Sequence, residues 1–528
     1  MKVLLTRKRK IVLGLLGFLF VFTFAMRLSF DAIFDAILDM ELRERLPIRN
    51  GSTAFKYWVL PPVPVAFRIF VFDIVNPDEV LAGTEVPTVI ERGPYIYRMH
   101  LHKTDIQFHD NHTVSFRQPE KFVYDKEASV GSENDTFTTL NIPFLTTANT
   151  LKYESPFIQT FTDAFYRSMN ETTFMNKSVY DIWWGYKDPV LEIGAEILHK
   201  FNISSTVLNG KFGFYMDRNN TDDGHFNVYS GDNYDFSNYN MIDRWDGLRH
   251  QSSWNNAYAN RIKGSPDGSM QPPKLTENSK LTVFDSNMRR TLRLVFNHST
   301  TVYGIDGLNF RVPYEEFASG KDVPEMNGFC TPDVEHCLRS GAINMSHLYY
   351  GSPVCVSLPH FVGGDPYYQQ QVKGLKPDAE KHQPFYNYHP LTGVALTGSR
   401  RYQINLMTRP YKYFEAFQKL PEAYIPILWI DGVADMDSDT IHMFKNELQN
   451  MMDAMVYVKA ALIGLICLYV VIIGLVVYCW WRKDKKSLDE ERSPLLRNGG
   501  VNHMPPQTNG SVPTGTYTHI QDPHTDPI

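Results

Sequence analysis

The chain has 528 residues, and its 52 Lys and Arg residues nearly balance 58 Asp and Glu residues. The resulting net charge of −6 excludes a general binder of nucleic acid or other polyanions. A hydrophobic content of 43% excludes a disordered chain, and a mean hydropathy of −0.29 excludes a transporter with many membrane spans.

The N-terminal segment contains the first predicted membrane span. Basic residues at 7–10 precede an apolar run at 11–26, and the run resumes after Arg27. An uncleaved signal-anchor helix over residues 11–30 explains both features and leaves residues 1–10 in the cytosol. The alternative is a cleaved signal peptide, for which Thr23–Ala25 offers a small-residue cleavage site.

The segment after the first span predicts one helix and then a framework of strands. Apolar residues at helical spacing predict an amphipathic helix that packs on the core or the membrane: Phe30, Ile33, Phe34, Ile37 and Leu38. Apolar runs separated by Gly, Pro, Asn and Asp predict strands at 67–71, 88–90, 95–100, 212–216, 292–296, 402–407 and 425–430. We therefore expect a mainly β ectodomain, built as a barrel or a sandwich.

A helical insertion at about 150–200 interrupts the strand pattern. Its apolar side chains recur four residues apart: Phe157, Phe161, Phe165 and Met169. Ser155 followed by a proline predicts a helix start, and Ser178 begins a second one with capping-box spacing. Such a stripe packs into a core in most proteins, and the alternative is a helical cap that binds a ligand.

The chain has five cysteines, two of which lie in the second apolar segment described below, Cys467 and Cys479. Cys330 and Cys337 close a short loop in an interval expected to be oxidising, so we predict a disulfide between them. Cys355 lies in an apolar run and is expected to be a buried thiol. The alternative, a catalytic thiol paired with His360, lacks an activating pattern.

The second predicted span covers residues 460–481, which include no charged residue. At about 1.5 Å per residue, a helix of this length crosses a hydrocarbon core of roughly 30 Å. Basic residues at 482–486 follow it, so both termini are predicted to be cytosolic and residues 31–459 lumenal or extracellular. Nine glycosylation sequons in that interval support this topology: Asn50, Asn111, Asn134, Asn170, Asn176, Asn202, Asn219, Asn297 and Asn344.

Five motifs in a fixed order make nearly the whole chain resemble the class B scavenger-receptor family: GPYIYR at 93–98, WGYKD at 184–188, NTDDG at 220–224, SLPHF at 357–361 and PLTG at 390–393. The resemblance implies a large antiparallel β-barrel with a helical cap and a hydrophobic tunnel. It also implies a receptor rather than an enzyme, without a cofactor, that binds cholesterol, fatty acids or phospholipids. The cap stripe and the cationic Lys177 would admit lipids with anionic heads.

The tail at 482–528 predicts an intracellular destination. Glu491 precedes the pair Leu495 and Leu496 by four residues, the spacing of an acidic dileucine signal that a clathrin adaptor binds. This tail and the short cysteine loop resemble a lysosomal member of the family, so we expect a lysosomal or late-endosomal membrane protein. The alternative is a plasma-membrane scavenger receptor for lipoproteins, fatty acids or microbial ligands.

Three positions depart from the family pattern. The resemblance implies a second disulfide where this chain has Met288 and Leu348, so that bridge is not expected. It also implies a histidine in an apical helix that releases an enzyme cargo in acid, and Lys177 occupies that position. Lysine does not titrate near about pH 5–7, so a lumenal enzyme cargo would be carried without this pH switch.

Two other protein classes share parts of this layout. Ligand-gated channel subunits combine two spans with a large ectodomain, but those ectodomains depend on many disulfides, and this chain has three cysteines there. An anchored hydrolase would carry a motif such as HExxH or GxSxG, and the sequence contains neither. His100 and His102 alternate like strand residues, and a zinc site there would need further ligands.

Overall fold

A computed structural model describes residues 6–193, 210–446 and 450–497, and all structural statements refer to this part of the chain. The chain divides into two units. The smaller unit is drawn from Met1–Ile33 and Met455–Ile528, and the larger unit is Phe34–Ala454.

The main helices lie at the two ends and at five places between them. They are α1 (Arg7–Arg45), α2 (Thr53–Val59), α3 (Pro77–Ala82), α4 (Ile142–Leu151), α5 (Pro156–Ser168), α6 (Val179–Trp184), α7 (Pro366–Gln370), α8 (Ala379–His382), α9 (Ser438–Phe444) and α10 (Asn450–Arg497). Two of them, α1 and α10, are long and apolar enough to cross a membrane. Their apolar side chains are largely exposed, as lipid-facing helices require, whereas a soluble core helix would bury them.

The strands lie in the larger unit. They are β1 (Val65–Ile74), β2 (Val89–Leu101), β3 (Thr104–His109), β4 (Thr113–Arg117), β5 (Glu120–Tyr124), β6 (Thr136–Leu140), β7 (Phe174–Ser178), β8 (Tyr186–Lys187), β9 (Lys211–Phe212), β10 (Phe226–Tyr229), β11 (Ile242–Trp245), β12 (Leu281–Asp285), β13 (Arg290–Val302), β14 (Ile305–Arg311), β15 (Ala342–Asn344), β16 (Val354–Ser357), β17 (Phe385–Tyr388), β18 (Ala395–Thr408) and β19 (Ala423–Asp435).

Eleven strands form one antiparallel main sheet in the order β12-β13-β14-β17-β18-β19-β1-β2-β5, with β16 also paired to β18 and β15 to β16. The central strand β19 buries most of its residues, because the sheet is covered on both faces there. The structure therefore confirms a mainly β fold with helices. In the described residues, the strand pairings form an open order that begins at β12 and ends at β5. They do not confirm the predicted closed barrel.

A second sheet, in the order β11-β10-β4-β3, packs against the C-terminal part of α1 and against α2. Leu38 and Leu42 of α1 and Trp58 of α2 are buried there with Phe116 and Phe226 of the sheet. The predicted amphipathic helix is thus part of α1, and its buried side includes Leu38. This cluster is separate from the larger apolar cluster of the main sheet.

Candidate functional site

A cavity of about 340 Å³ lies inside the larger unit, between the two apolar clusters. The main sheet contributes Phe67 and Ile430 to its wall, and the second cluster contributes Trp58 and Phe116. Residues from the first and last parts of the unit also line it: Leu38, Leu42, Leu46, Met436, Met443 and Phe444. The cavity wall therefore includes the segments at which the chain enters and leaves this unit.

Part of the cavity wall is charged. Burial, and then the negative charge of Asp223, raise the pKa of Glu120 to about 7, while the cations Arg400 and Arg218 oppose this rise. Burial alone would lower the pKa of Arg400, but Asp285, 3.8 Å away, raises it above its ordinary value. An otherwise apolar chamber with a few fixed charges suits an amphiphilic ligand.

Three aromatic residues, here called the aromatic wall, close one side of the cavity. Phe67 and Tyr215 line the cavity, and Trp183 of α6 packs behind them. The Trp183 ring stacks on Tyr215 at 4.4 Å and lies 5.4 Å from Phe67. No residue of the described stretch 142–184, which includes α4, α5 and α6, lines the cavity, and α6 contributes to the aromatic wall through Trp183.

Helix α5 begins where the sequence predicts, with Ser155 as the N-cap and Pro156 in the first turn. The predicted stripe does not pack into the core as such stripes usually do, because Phe157 is 77% exposed and Phe161 is 65% exposed. Phe165 and Met169 are half-buried. Two further exposed apolar residues adjoin the stripe, Tyr153 and Ile158.

The polar side of α5 is the buried side. Gln159 is buried and donates to the backbone oxygen of Glu154 at 2.8 Å. Asp163 is buried and accepts from Arg167 at 2.9 Å, and Tyr166 stacks on Phe144 of α4 at 4.2 Å. Because the polar face of α5 forms hydrogen bonds inside the protein, its aromatic face points to solvent. The exposure of these rings is unfavourable in solvation free energy.

The predicted helical insertion at about 150–200 contains α5 and α6 in its described part, which ends at residue 193. Helices begin earlier, at Ile142, and the short strands β7 and β8 interrupt the interval. Lys177 therefore lies in β7, paired with β6, and not in an apical helix. Its ammonium group lies 3.8 Å from the centre of the Tyr186 ring. The capping box at Ser178 does begin a helix, α6.

Of the three cysteines of the larger unit, two form a disulfide and one remains a free thiol. Cys330 and Cys337 are joined by a disulfide. Cys355 is fully buried, and burial raises the pKa of its thiol. His360 contacts Glu91 instead of this thiol, so the catalytic alternative has no support. At the positions of the absent second bridge, Met288 is buried and Leu348 is half-buried in the same apolar cluster.

The described glycosylation sequons lie at the surface, with one exception. Exposed asparagines are Asn50, Asn111, Asn134, Asn170, Asn176, Asn219 and Asn297. Asn344 is half-buried in β15, and its amide donates to the Thr331 backbone oxygen at 3.2 Å. Asn202 lies outside the described residues, and for Glu491, Leu495 and Leu496 only the backbone is described, at the end of α10.

Comparisons with known proteins give one consistent family. The profile of the CD36 family matches residues 15–478. The chain is 33% identical to scavenger receptor class B member 1 of Cricetulus griseus over 433 residues, 82% of this chain and 83% of that protein. It is 30% identical to the Sus scrofa protein of the same name over 488 residues, 91% of this chain and 94% of that protein. Lysosome membrane protein 2 of Mus musculus is 29% identical over 491 residues, 92% of this chain and 98% of that protein.

Proposed function

The chain belongs to the CD36 family, and we propose that it is a two-pass membrane receptor that binds lipids at its helical cap and passes them through the ectodomain to the membrane. The observation that carries this proposal is the apolar cavity of about 340 Å³. Its volume lies at the lower end of the roughly 300–1,000 Å³ typical of small-molecule sites. Acyl chains and sterols cross water poorly, and an apolar chamber removes that barrier.

The exposed stripe of α5 is the proposed capture surface. Phe157 and Phe161 stand in solvent while the polar face of the helix is buried, which is the reverse of a stable surface helix. Contact with a lipid covers these rings and recovers the solvation cost. We propose that the main sheet encloses the cavity as the predicted barrel, and that a lipid arriving from the cap must displace the aromatic wall to enter it.

A direct test is the lipid content of the purified protein. The full-length chain is purified from a cell line, and lipids bound to it are identified by mass spectrometry. Ala434 lines the cavity, so Ala434→Phe places a ring in it and is expected to reduce bound lipid several-fold. Ala128→Phe adds the same ring to an exposed position and is the matched control. Equal lipid content in both variants and in the wild type would reject the cavity as the binding site.

We propose the lysosomal or late-endosomal membrane as the destination. The dileucine spacing of Glu491, Leu495 and Leu496 supports adaptor binding, and one relative carries the name lysosome membrane protein 2. Replacing Leu495 and Leu496 by alanine is expected to move the protein to the cell surface, as measured by surface biotinylation. Leu488→Ala in the same tail is the control. An unchanged distribution would favour a plasma-membrane receptor.

A further inference from the structure

Lys103 is a buried cation in the wall of the cavity. It follows β2, and its backbone N–H donates to the Val59 oxygen at 2.9 Å, which fixes its position next to α2. The residue is 5% exposed and lines the cavity. Its ammonium nitrogen lies 5.0 Å from the centre of the Trp58 ring and 5.1 Å from that of Phe116, two rings that also line the cavity.

This ammonium group has no anionic partner within residues 6–193, 210–446 and 450–497. No hydrogen bond and no ion pair within 4.0 Å joins it to another described residue. Burial lowers the pKa of Lys103, and the charge of Asp267, farther away, opposes this shift only in part. Two contacts with aromatic rings compensate some of the lost hydration, but an ammonium group has three donors to satisfy.

Two other cations of the larger unit have anionic partners. The buried Arg290 is bonded to Glu316 at 3.0 Å, and the half-buried Arg400 lies 3.8 Å from Asp285. A buried charge without a partner is destabilising, so its retention in a cavity wall points to a partner that is bound and not built in. The open space beside Lys103 is the cavity itself, whose wall is apolar at Trp58, Phe116 and Leu42 and also includes the carboxylates Asp267 and Glu41.

Resting on the proposed lipid-binding function, we propose that Lys103 binds the anionic head group of a single-chain lipid whose acyl chain occupies the cavity. The head carries a carboxylate, as in a fatty acid, or a phosphate, as in a lysophospholipid. The volume of about 340 Å³ suits one acyl chain better than two. The anion satisfies the ammonium donors, and the adjoining apolar wall covers the chain.

The test compares ligands that differ only in the head group. The full-length protein in phosphatidylcholine nanodiscs is labelled with a photoreactive fatty acid, the fatty alcohol of the same chain, and the lysophosphatidic acid of the same chain. Labelled peptides containing Met99 or Met270, two cavity-lining residues, report occupancy of the site. Lys103→Met keeps the side-chain length and removes the charge. Lys121→Met, at an exposed position of β5, is the matched control.

We expect the wild type to bind an anionic lipid about 10- to 100-fold more tightly than the alcohol, the usual effect of a charge-assisted hydrogen bond. Lys103→Met should lose this preference, bind the alcohol as the wild type does, and unfold at the same or a higher temperature. The tighter of the two anionic ligands identifies the head group. Equal binding of acid and alcohol by the wild type, or equal effects of both variants, overturns the role of Lys103 alone. No labelling of the cavity by any ligand overturns the lipid function as well.

Discussion

At the scale of single residues, the core holds a charged pair that the sequence does not reveal. Arg290 of β13 is fully buried and donates to Glu316 at 3.0 Å, and Arg293 binds the same carboxylate. We expect Arg290→Met to lower the free energy of unfolding by about 3 kcal/mol or more, because it leaves a buried carboxylate with one partner fewer. Denaturant unfolding of the full-length protein measures this loss.

Two companion variants make that prediction specific. Arg289→Met changes an exposed arginine next to it and should alter stability by less than about 0.5 kcal/mol. Combining Arg290→Met with Glu316→Gln should recover part of the loss, because no buried charge then lacks a partner. A double variant less stable than Arg290→Met alone would contradict this electrostatic explanation.

Glu120 is expected to make the stability of the larger unit depend on pH. Its folded-state pKa of about 7 lies above its ordinary value of 4.5, so the folded protein holds this proton more tightly than the unfolded chain. The contribution of Glu120 to stability is therefore full below pH 4.5 and is lost as the pH rises to about 7.

Glu120→Gln removes this dependence. Relative to the wild type, the variant should gain roughly 1–3 kcal/mol of stability when the pH rises from 4.5 to 7.5, as measured by denaturant unfolding at both values. Glu127→Gln, at an exposed position, should show no such gain. A gain of the same size in both variants would mean that the effect does not come from the cavity.

At residue scale, local signals predict local structure. The caps at Ser155 and Ser178 are found because a cap depends on three or four neighbouring residues. The burial of Lys103 is not predictable, because its neighbours Trp58 and Phe116 belong to other elements, α2 and β4, whose packing the local sequence pattern does not reveal. Pattern alone treats a lone lysine as solvent-exposed.

At the scale of elements, the exposed stripe of α5 allows lipid uptake to be tested separately from stability. Phe157 and Phe161 are exposed, so replacing both by serine should change the free energy of unfolding by less than about 0.5 kcal/mol per site. The same variant should take up several-fold less lipid from donor vesicles if the stripe is the capture surface. Leu248→Ser, at another exposed apolar position, is the control and should leave uptake unchanged.

The sequence predicts strands of the main sheet better than it predicts a segment whose aromatic side chains pack outside a sheet. Segments 67–71, 402–407 and 425–430 lie in β1, β18 and β19. Segment 212–216 contributes one residue to β9, because Tyr215 turns away to stack on Trp183. The stripe of α5 shows the same limit, since helical spacing does not tell which face of the helix is buried.

At the scale of the whole molecule, the sequons test which side of the membrane the larger unit faces. We expect N-glycans on the seven exposed asparagines and none in the tail at 482–528. Glycosidase treatment followed by peptide mass spectrometry identifies each occupied site. Glycans in the tail, or none between the spans, would contradict the proposed topology.

The overall class follows from the sequence, but the arrangement of the strands does not. The terminal spans are continuous apolar runs and need no tertiary information. The main sheet instead pairs Val65 of β1 with Ala434 of β19, residues from opposite ends of the larger unit in sequence. The cavity forms where such distant segments meet, so residue patterns predict its existence only through the family resemblance.

The aromatic wall has a kinetic consequence for the proposed transfer. On the proposed route from α5, a lipid reaches the cavity only when the packed rings of Phe67, Trp183 and Tyr215 move apart. At high donor concentration, the rate of passage is then limited by how often the rings open. The rate of lipid transfer through such a gated passage levels off as donor concentration grows, whereas the rate through an open pore would rise linearly.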